Sequence, residues 1–337
     1  MTVKVGVVGL GMMGMTHLDV YSKRQDVQVV AIADRNEDLL TGKAQAKGNI
    51  EGQAQGSFDF QGVKKYTEGL DLINDPDIDV VDICLPTFLH LEYGKATLQA
   101  GKHLLLEKPL ARTSADAKAL VDAAANAKGL AMPAMCMRFW PGWTWLKKAV
   151  TQETYGKVKG AQFRRVSNHP GGGFYQNGEL CGGALLDLHI HDTDFIQYLF
   201  GMPKQVFSRG YSKATNEPDH LVTQYIYDDI PLVVAEGGWA MSDKFPFTMQ
   251  YTVNFENATV CFDISKDKPL MLCEGDKEPV DVDLEEGMGY EHEINYFIDC
   301  VKVNKQPTIV TLEDAYRSVL IAEAEGRSIK EGLPVSL

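Results

Sequence analysis

Cysteine, positive charge and long apolar runs are what this 337-residue sequence has least of. Its six cysteines, Cys84, Cys136, Cys181, Cys261, Cys273 and Cys300, form no C-x-x-C pair. A chain of this length is not expected to rest on a disulfide framework, and settings such as VDICLP and ATVCFDI mark buried thiols. Lys and Arg number 33 against 46 Asp and Glu, a formal net charge of -13. That balance argues against nucleic acid as a partner, because phosphate backbones require clustered cations. A small anionic ligand needs only one local positive site and is still allowed. No apolar run approaches the roughly 20 residues of a bilayer span, and the opening MTVKVGVVGLG lacks a leader-like apolar stretch with a cleavage site. A cytoplasmic protein without membrane association is expected.

What is present is ordinary for a soluble globular chain: 45% hydrophobic and 23% charged residues. The length exceeds the roughly 250 to 300 residues at which single cores stop growing, so two domains are expected. In the first half, apolar runs at 3–10, 27–34, 79–86, 102–109 and 129–137 alternate with helical spacing at 13–24, 36–47, 89–100 and 114–128. That alternation predicts an α/β fold with a largely parallel sheet covered on both faces. Ser114 reads as the N-cap of the last of these helices. The glycine-rich segment 49–66 reads as an excursion before a short strand. The second half changes period. Strand patterns at 157–168, 221–241 and 248–265 include two hairpins, which predict an antiparallel sheet. Helices are expected near 184–199, 289–304 and 312–328, the last opened by a Thr311–Asp314 capping box. The expected domains are 1–125 and 126–337.

VGLGMMGMTHLDVY sets Gly9, Gly11 and Gly14 in G-x-G-x-x-G spacing, after a strand and at the start of a helix. The first glycine allows a tight turn, the second lets a pyrophosphate approach the backbone, and the third lets helix and strand pack closely. Backbone N–H groups of this turn, those of Met12 and Met13 included, then serve the phosphates at the positive end of the helix dipole. Asp34 ends the second strand, where a carboxylate can bind ribose hydroxyls and repel a 2′-phosphate; this favours NAD. Arg35 beside it can stack on adenine or reach a phosphate, which leaves NADP open. Pro86, Thr87 and His90 follow the third strand, and Glu107, Lys108 and Pro109 follow the next. Ligands collect beyond the carboxyl ends of parallel strands, so contact with ribose or nicotinamide is expected there; Thr87 and His90 can equally serve the following helix. Pro109 restricts Lys108 to extended backbone, which suits a fixed side-chain direction.

Residues 181–195, CGGALLDLHIHDTDF, mix three Asp and two His with apolar residues. Asp187 and His191 are four apart and share one face of a helix, while His189 points away from both. Asp192 and Asp194 read as surface charges, with Asp194 also a possible partner for His191. No metal site is expected, because His189 and His191 diverge by about 200° on a helix.

The glycine fingerprint at 9–14, Asp34, GKHLLLEKPLA at 101–111, RFWP at 138–141, GGALLDLHIHDTDF at 182–195 and the closing TLEDAYRSVLIAEA helix together resemble the Gfo/Idh/MocA oxidoreductases. These are the glucose–fructose oxidoreductase and inositol dehydrogenase relatives, and the similarity runs over nearly the whole chain. The resemblance implies an N-terminal Rossmann domain and a C-terminal α/β domain with a large, mostly antiparallel open sheet. It also implies a homodimer or homotetramer formed through that sheet. The implied reaction is NAD- or NADP-linked oxidation of a sugar or cyclitol hydroxyl, or the reverse ketone reduction. Carried onto this chain, the family's catalytic lysine is Lys108, its aspartate Asp187 and its histidine His191, with Glu107 on the cofactor side.

In that reaction His191 suits the general base, since imidazole titrates near neutral pH. Asp187 orients it or holds a neighbouring hydroxyl, and Lys108 donates to the reacting oxygen. Asn168, His169, Tyr175 and Gln176, in the glycine-rich turn before the catalytic helix, are candidates for the substrate pocket, as are Arg138 and Trp140. Two other readings stay open: a reductase of non-sugar carbonyls or redox-cycling enzyme that retains its cofactor, and a non-catalytic dinucleotide-binding regulator.

Overall fold

The computed structural model of the protein describes residues 2–44 and 58–337. The expected helix at 36–47 and the glycine-rich segment at 49–66 lie partly outside the described residues. The chain divides into two units, Met1–Cys136 with Gly289–Tyr316, and Met137–Met288 with Arg317–Leu337.

The first unit contains β1 (Val3–Val8), α1 (Met12–Ser22), β2 (Val27–Ala33), α2 (Glu37–Leu40), β3 (Lys64–Tyr66), α3 (Gly69–Ile73), β4 (Val80–Ile83), α4 (His90–Gln99), β5 (His103–Glu107), α5 (Ser114–Ala125), β6 (Ala131–Ala134) and, returning later, α10 (Gly289–Lys302). Its six-stranded sheet has the order β3-β2-β1-β4-β5-β6, parallel throughout. Every residue of β4 is buried, as both covered faces require. The order reverses between β1 and β4, which opens the crevice where such sheets bind ligands. Strand β6 lies beyond the expected boundary at 125. It closes on the sheet because Gly129 has no side chain: a Cβ there would stand 1.9 Å from the Lys102 carbonyl oxygen. Thr113, rather than Ser114, caps α5; its Oγ1 accepts the Asp116 N–H at 3.1 Å.

The second unit contains α6 (Pro141–Thr151), β7 (Val158–Asn168), the short helices α7 (Gly172–Tyr175) and α8 (Gly178–Cys181), a π-helical turn at Leu185–His189, and α9 (Ile190–Phe200). Strands β8 (Gln205–Tyr211), β9 (His220–Ile226), β10 (Leu232–Met241), β11 (Thr248–Phe255), β12 (Ala258–Asp263), β13 (Leu270–Glu274) and β14 (Val280–Asp281) follow, then α11 (Leu312–Glu331), of which the residues from Arg317 onward belong to this unit, and β15 (Val335–Ser336). The nine-stranded sheet runs β14-β13-β12-β11-β7-β10-β9-β8-β15, antiparallel except for the central β7–β10 pair. Register shows how its faces differ. The row Ser208, Thr223, Ala235, Phe163, Tyr251, Phe262 is buried across six strands. The neighbouring row Arg209, Val222, Glu236, Arg164, Gln250, Asp263 is half-buried or exposed. One face therefore builds a core and the other stays open. On the core face, Trp143 of α6 packs edge-on against Tyr251, Phe262 and Phe195 at 5.0, 4.5 and 6.3 Å between ring centroids. The expected capping box of α11 is reciprocal: Asp314 N–H donates to Thr311 Oγ1, and Thr311 N–H to Asp314 Oδ2. Among the described residues all six cysteines are free, and no helix is long and apolar enough to cross a membrane.

Candidate active site

In the first unit the β1–α1 turn has the shape a dinucleotide requires. Gly9 adopts φ +94°, and a Cβ there would lie 2.5 Å from the Cys84 carbonyl oxygen. At Gly14 a Cβ would fall 1.9 Å from the Gly9 oxygen, so helix and strand close only on glycine. A Cβ at Gly11, by contrast, meets no atom within 4 Å, leaving open space beside the helix start. Met12 and Met13 open α1, and its first intrahelical bond runs from Met15 N–H to the Gly11 oxygen. The N–H groups before it lie outside the ladder, as anion binding needs. The residues present thus fit a dinucleotide pyrophosphate. Asp34 accepts the Leu10 N–H on Oδ2 and the Asn36 N–H on Oδ1, both at 2.8 Å, which fixes its carboxylate beside the turn. Arg35 is exposed and reaches Glu68 at 3.7 Å.

The residues after β4 and β5 divide into two kinds. Pro86 is half-buried, and Thr87 is buried at the start of a 3-10 turn, Thr87–Leu89. His90 is fully buried, with Nδ1 2.8 Å from the Pro109 oxygen and Nε2 2.8 Å from the Leu85 oxygen. Through these contacts it joins two backbone turns. Burial lowers its pKa, against the two carbonyl contacts. Glu107 is buried as well; its Oε2 accepts the Lys108 N–H at 2.9 Å, and its Oε1 faces His17 Nε2 at 3.3 Å. Lys108 itself is half-buried at the end of β5.

His17, Asp82, Tyr21 and Glu293, buried beneath these motifs, escaped sequence reasoning. The available signal was Asp82, an acid inside the apolar run VVDIC. His17, Asp82 and Cys84 come within ligand distance of one another. They are joined by hydrogen bonds, His17 Nδ1 to Asp82 Oδ2 at 2.8 Å and Cys84 Sγ to Asp82 Oδ1 at 3.5 Å.

In the second unit Gly182 and Gly183 have φ +80° and +67°. A Cβ on Gly183 would sit 2.8 Å from the Pro218 oxygen, so this approach also needs glycine. The π-helical turn carries Asp187, and α9 carries His191; both are half-buried. A π turn advances each residue by less than the 100° of an α-helix, so the simple four-residue offset expected for this pair is altered locally. His189 ends the turn inside the core, its Nε2 3.3 Å from Glu325 Oε1 and 3.2 Å from the Tyr225 hydroxyl. Asp192 and Asp194 are not surface charges. Each is 1% exposed and held by an arginine through two hydrogen bonds, Asp192 by Arg165 and Asp194 by Arg138, with Ser318 also donating to Asp194.

Arg138 is therefore buried and engaged by Asp194. Trp140 is half-buried at the N-cap of α6. Asn168 donates to the Asp243 oxygen. His169 Nδ1 accepts the Gly171 N–H, which assigns the ring hydrogen to Nε2, 3.1 Å from the Tyr175 oxygen. The rings of His169 and Tyr175 pack on Trp239, whose Nε1–H donates to Asp219. Gln176 is exposed. Asp219 also accepts the Lys213, Ala214 and Thr215 N–H groups. Burial alone would raise its pKa, but these donors outweigh it and bring it to about 2.

A family model described as "Oxidoreductase family, NAD-binding Rossmann fold" matches residues 3–135, and one described as "GFO/IDH/MocA C-terminal domain" matches 143–261. Levoglucosan dehydrogenase of Pseudarthrobacter phenanthrenivorans is 33% identical over 203 residues, 58% of this chain and 51% of that protein. The match thus spans about half of that relative's own length. Inositol 2-dehydrogenase of Salmonella typhimurium is 33% identical over 244 residues, 69% of this chain and 67% of that protein. A solved structure of levoglucosan dehydrogenase with NADH and levoglucosan superposes with a TM-score of 0.85 at 21% identity, covering 100% of this chain and 99% of that one, and shows the same fold. With a parallel sheet in 3-2-1-4-5-6 order, a glycine turn shaped for a dinucleotide and both domain models matched, the chain belongs to the Gfo/Idh/MocA oxidoreductases.

Proposed function

We propose that the protein is an NAD-dependent dehydrogenase acting on a CH–OH group of a sugar, anhydrosugar or cyclitol, or on the corresponding ketone in reverse. The observation that carries this reading is Lys108, presented half-buried at the carboxyl end of β5 in the same sheet as the glycine turn. The names of the relatives, levoglucosan dehydrogenase and inositol 2-dehydrogenase, support a polyol substrate. A bound nicotinamide supplies the hydride acceptor. Lys108 donates a hydrogen bond to the reacting oxygen and stabilises its growing alkoxide charge. His191 takes the hydroxyl proton, or returns it in ketone reduction. Asp187 orients the imidazole or holds an adjacent hydroxyl. The Asp34 carboxylate favours NAD(H), and a preference for NADPH of more than about tenfold in kcat/KM would overturn that assignment. The open face of the nine-stranded sheet, with Tyr211, Val222 and Leu232 exposed on it, is read as the self-association surface of a homodimer or homotetramer.

NADH formation is to be measured against inositols, levoglucosan, aldoses and non-sugar hydroxy compounds. Lys108→Ala and His191→Ala are expected to lose about 100-fold or more in kcat while still binding NADH, the usual scale of acid–base groups. Near-normal turnover in both variants sinks the mechanism.

A further inference from the structure

The network beneath Glu107 is buried at His17, Asp82 and Glu293 and crowded with acids. Facing His17 are Tyr21 from its own helix, Asp82 from β4 and Cys84 just after it, Glu107 from β5 and Glu293 from α10. Tyr21 donates to Asp82 Oδ2 at 2.8 Å, and the Lys108 N–H donates to Glu107 Oε2 at 2.9 Å. Both carboxylates thus receive donors, as anions do. The two nitrogens of His17 each lie near one carboxylate: Nδ1 is hydrogen-bonded to Asp82 Oδ2 at 2.8 Å, and Nε2 stands 3.3 Å from Glu107 Oε1 outside hydrogen-bond geometry. A neutral ring has one N–H only, so with Nδ1 donating to Asp82 its second nitrogen would leave a lone pair 3.3 Å from a carboxylate oxygen. Glu293 is fully buried, and neither of its oxygens has a hydrogen-bond partner, which marks a neutral acid. Burial and then the charge of Glu107 raise its pKa. Burial works against charge on His17, but Asp82 foremost outweighs it and raises the ring's pKa.

We propose that His17 is a positioning residue: as a buried imidazolium it holds Glu107 in its carboxylate form, and Glu107 fixes the backbone from which Lys108 projects. His17 stands on α1, which begins at the phosphate-binding turn, so one cation ties that helix to the lysine strand. The role for Lys108 rests on the function proposed above; the charge of His17 does not.

The test uses the full chain with 15N-labelled histidine, with His17→Gln identifying the resonances. Both ring nitrogens are expected to be protonated, without titration between about pH 6 and 9. A neutral ring, or one titrating near its ordinary value of about 6.5, overturns the proposal. So does stoichiometric metal that copurifies with the protein and is lost in His17→Gln. In kinetics, His17→Gln removes the charge but keeps a donor. It is expected to lower kcat about tenfold or more, while NADH affinity stays within about threefold. A lower kcat in His17→Gln combined with a neutral ring in the wild-type spectra means a packing role only. Should His17→Gln fail to fold, Glu107→Gln still decides: removing one of two anions is expected to bring the His17 ring into titratable range, and an unchanged ring counts against the proposal. If Lys108→Ala keeps normal turnover, the positioning role falls, and the nitrogen spectra still report the charge of His17.

Discussion

A methyl group added at Gly11 meets nothing within 4 Å, whereas one at Gly14 falls 1.9 Å from a backbone oxygen. The two glycines should therefore fail differently. Gly11→Ala is expected to leave stability within about 0.5 kcal/mol, since no protein atom is crowded, and to weaken NADH binding about tenfold or more because the pyrophosphate loses its approach. Gly14→Ala is expected to lose folded protein as well. Thermal unfolding and NADH fluorescence titration separate these outcomes; equal NADH affinity in wild type and Gly11→Ala removes the pyrophosphate from this turn. Asp219 makes a second prediction at the same scale. Its carboxyl titrates at about 2 in the folded chain, below its ordinary 3.8, and it is fully buried. A depressed folded pKa contributes stability that is present above the unfolded value and lost as pH falls through the folded one. The contribution of about 2 kcal/mol should thus disappear between about pH 4 and pH 2. Urea titrations across that window should show a shallower acid loss in Asp219→Asn, which starts less stable at neutral pH.

Element ends offer a sharper comparison. Because Thr113 caps α5, Thr113→Ala is expected to cost about 1 kcal/mol and Ser114→Ala clearly less, read by chemical unfolding. The reverse order would restore the cap first expected from sequence. Most long elements were legible because their signals are local: the β1–α1 glycine turn, the hairpins after β8, the reciprocal cap on α11. Other elements were not. Trp140–Pro141–Gly142 reads as punctuation, yet Pro141 opens α6, a position proline tolerates well. The parallel β7–β10 pair has no local signal, since its two strands are brought together only by a crossover. Asp192 and Asp194 looked exposed because their arginines, Arg165 and Arg138, lie far away in sequence. The candidate site divides in the same way. Glycines, Asp34, Lys108, Asp187 and His191 stand in motifs, while His17, Asp82 and Glu293 meet only in three dimensions.

Across the molecule, each sheet follows the rule for its type: the parallel one is covered on both sides, the antiparallel one on a single side. If the open face associates with a second copy, Val222→Lys, aimed out of that face, is expected to shift the particle toward monomer in light scattering without lowering thermal stability of the monomer. A wild-type monomer would retire the self-association reading. The β7–β10 pairing has one more implication. The chain between the end of β7 and the start of β10, the strand next door, carries the His169 turn, Asp187 and His191 and then adds β8 and β9 to the same sheet. That excursion is a cassette whose two ends are pinned side by side at the centre of the sheet. Its α9, β8 and β9 carry core residues such as Phe195, Ser208 and Thr223. The turn around Gly171, Gly172 and Gly173, however, is uncrowded and can lengthen or change residues while the anchors keep their register. A new substrate preference can thus be acquired within one short stretch of gene and without rebuilding the core.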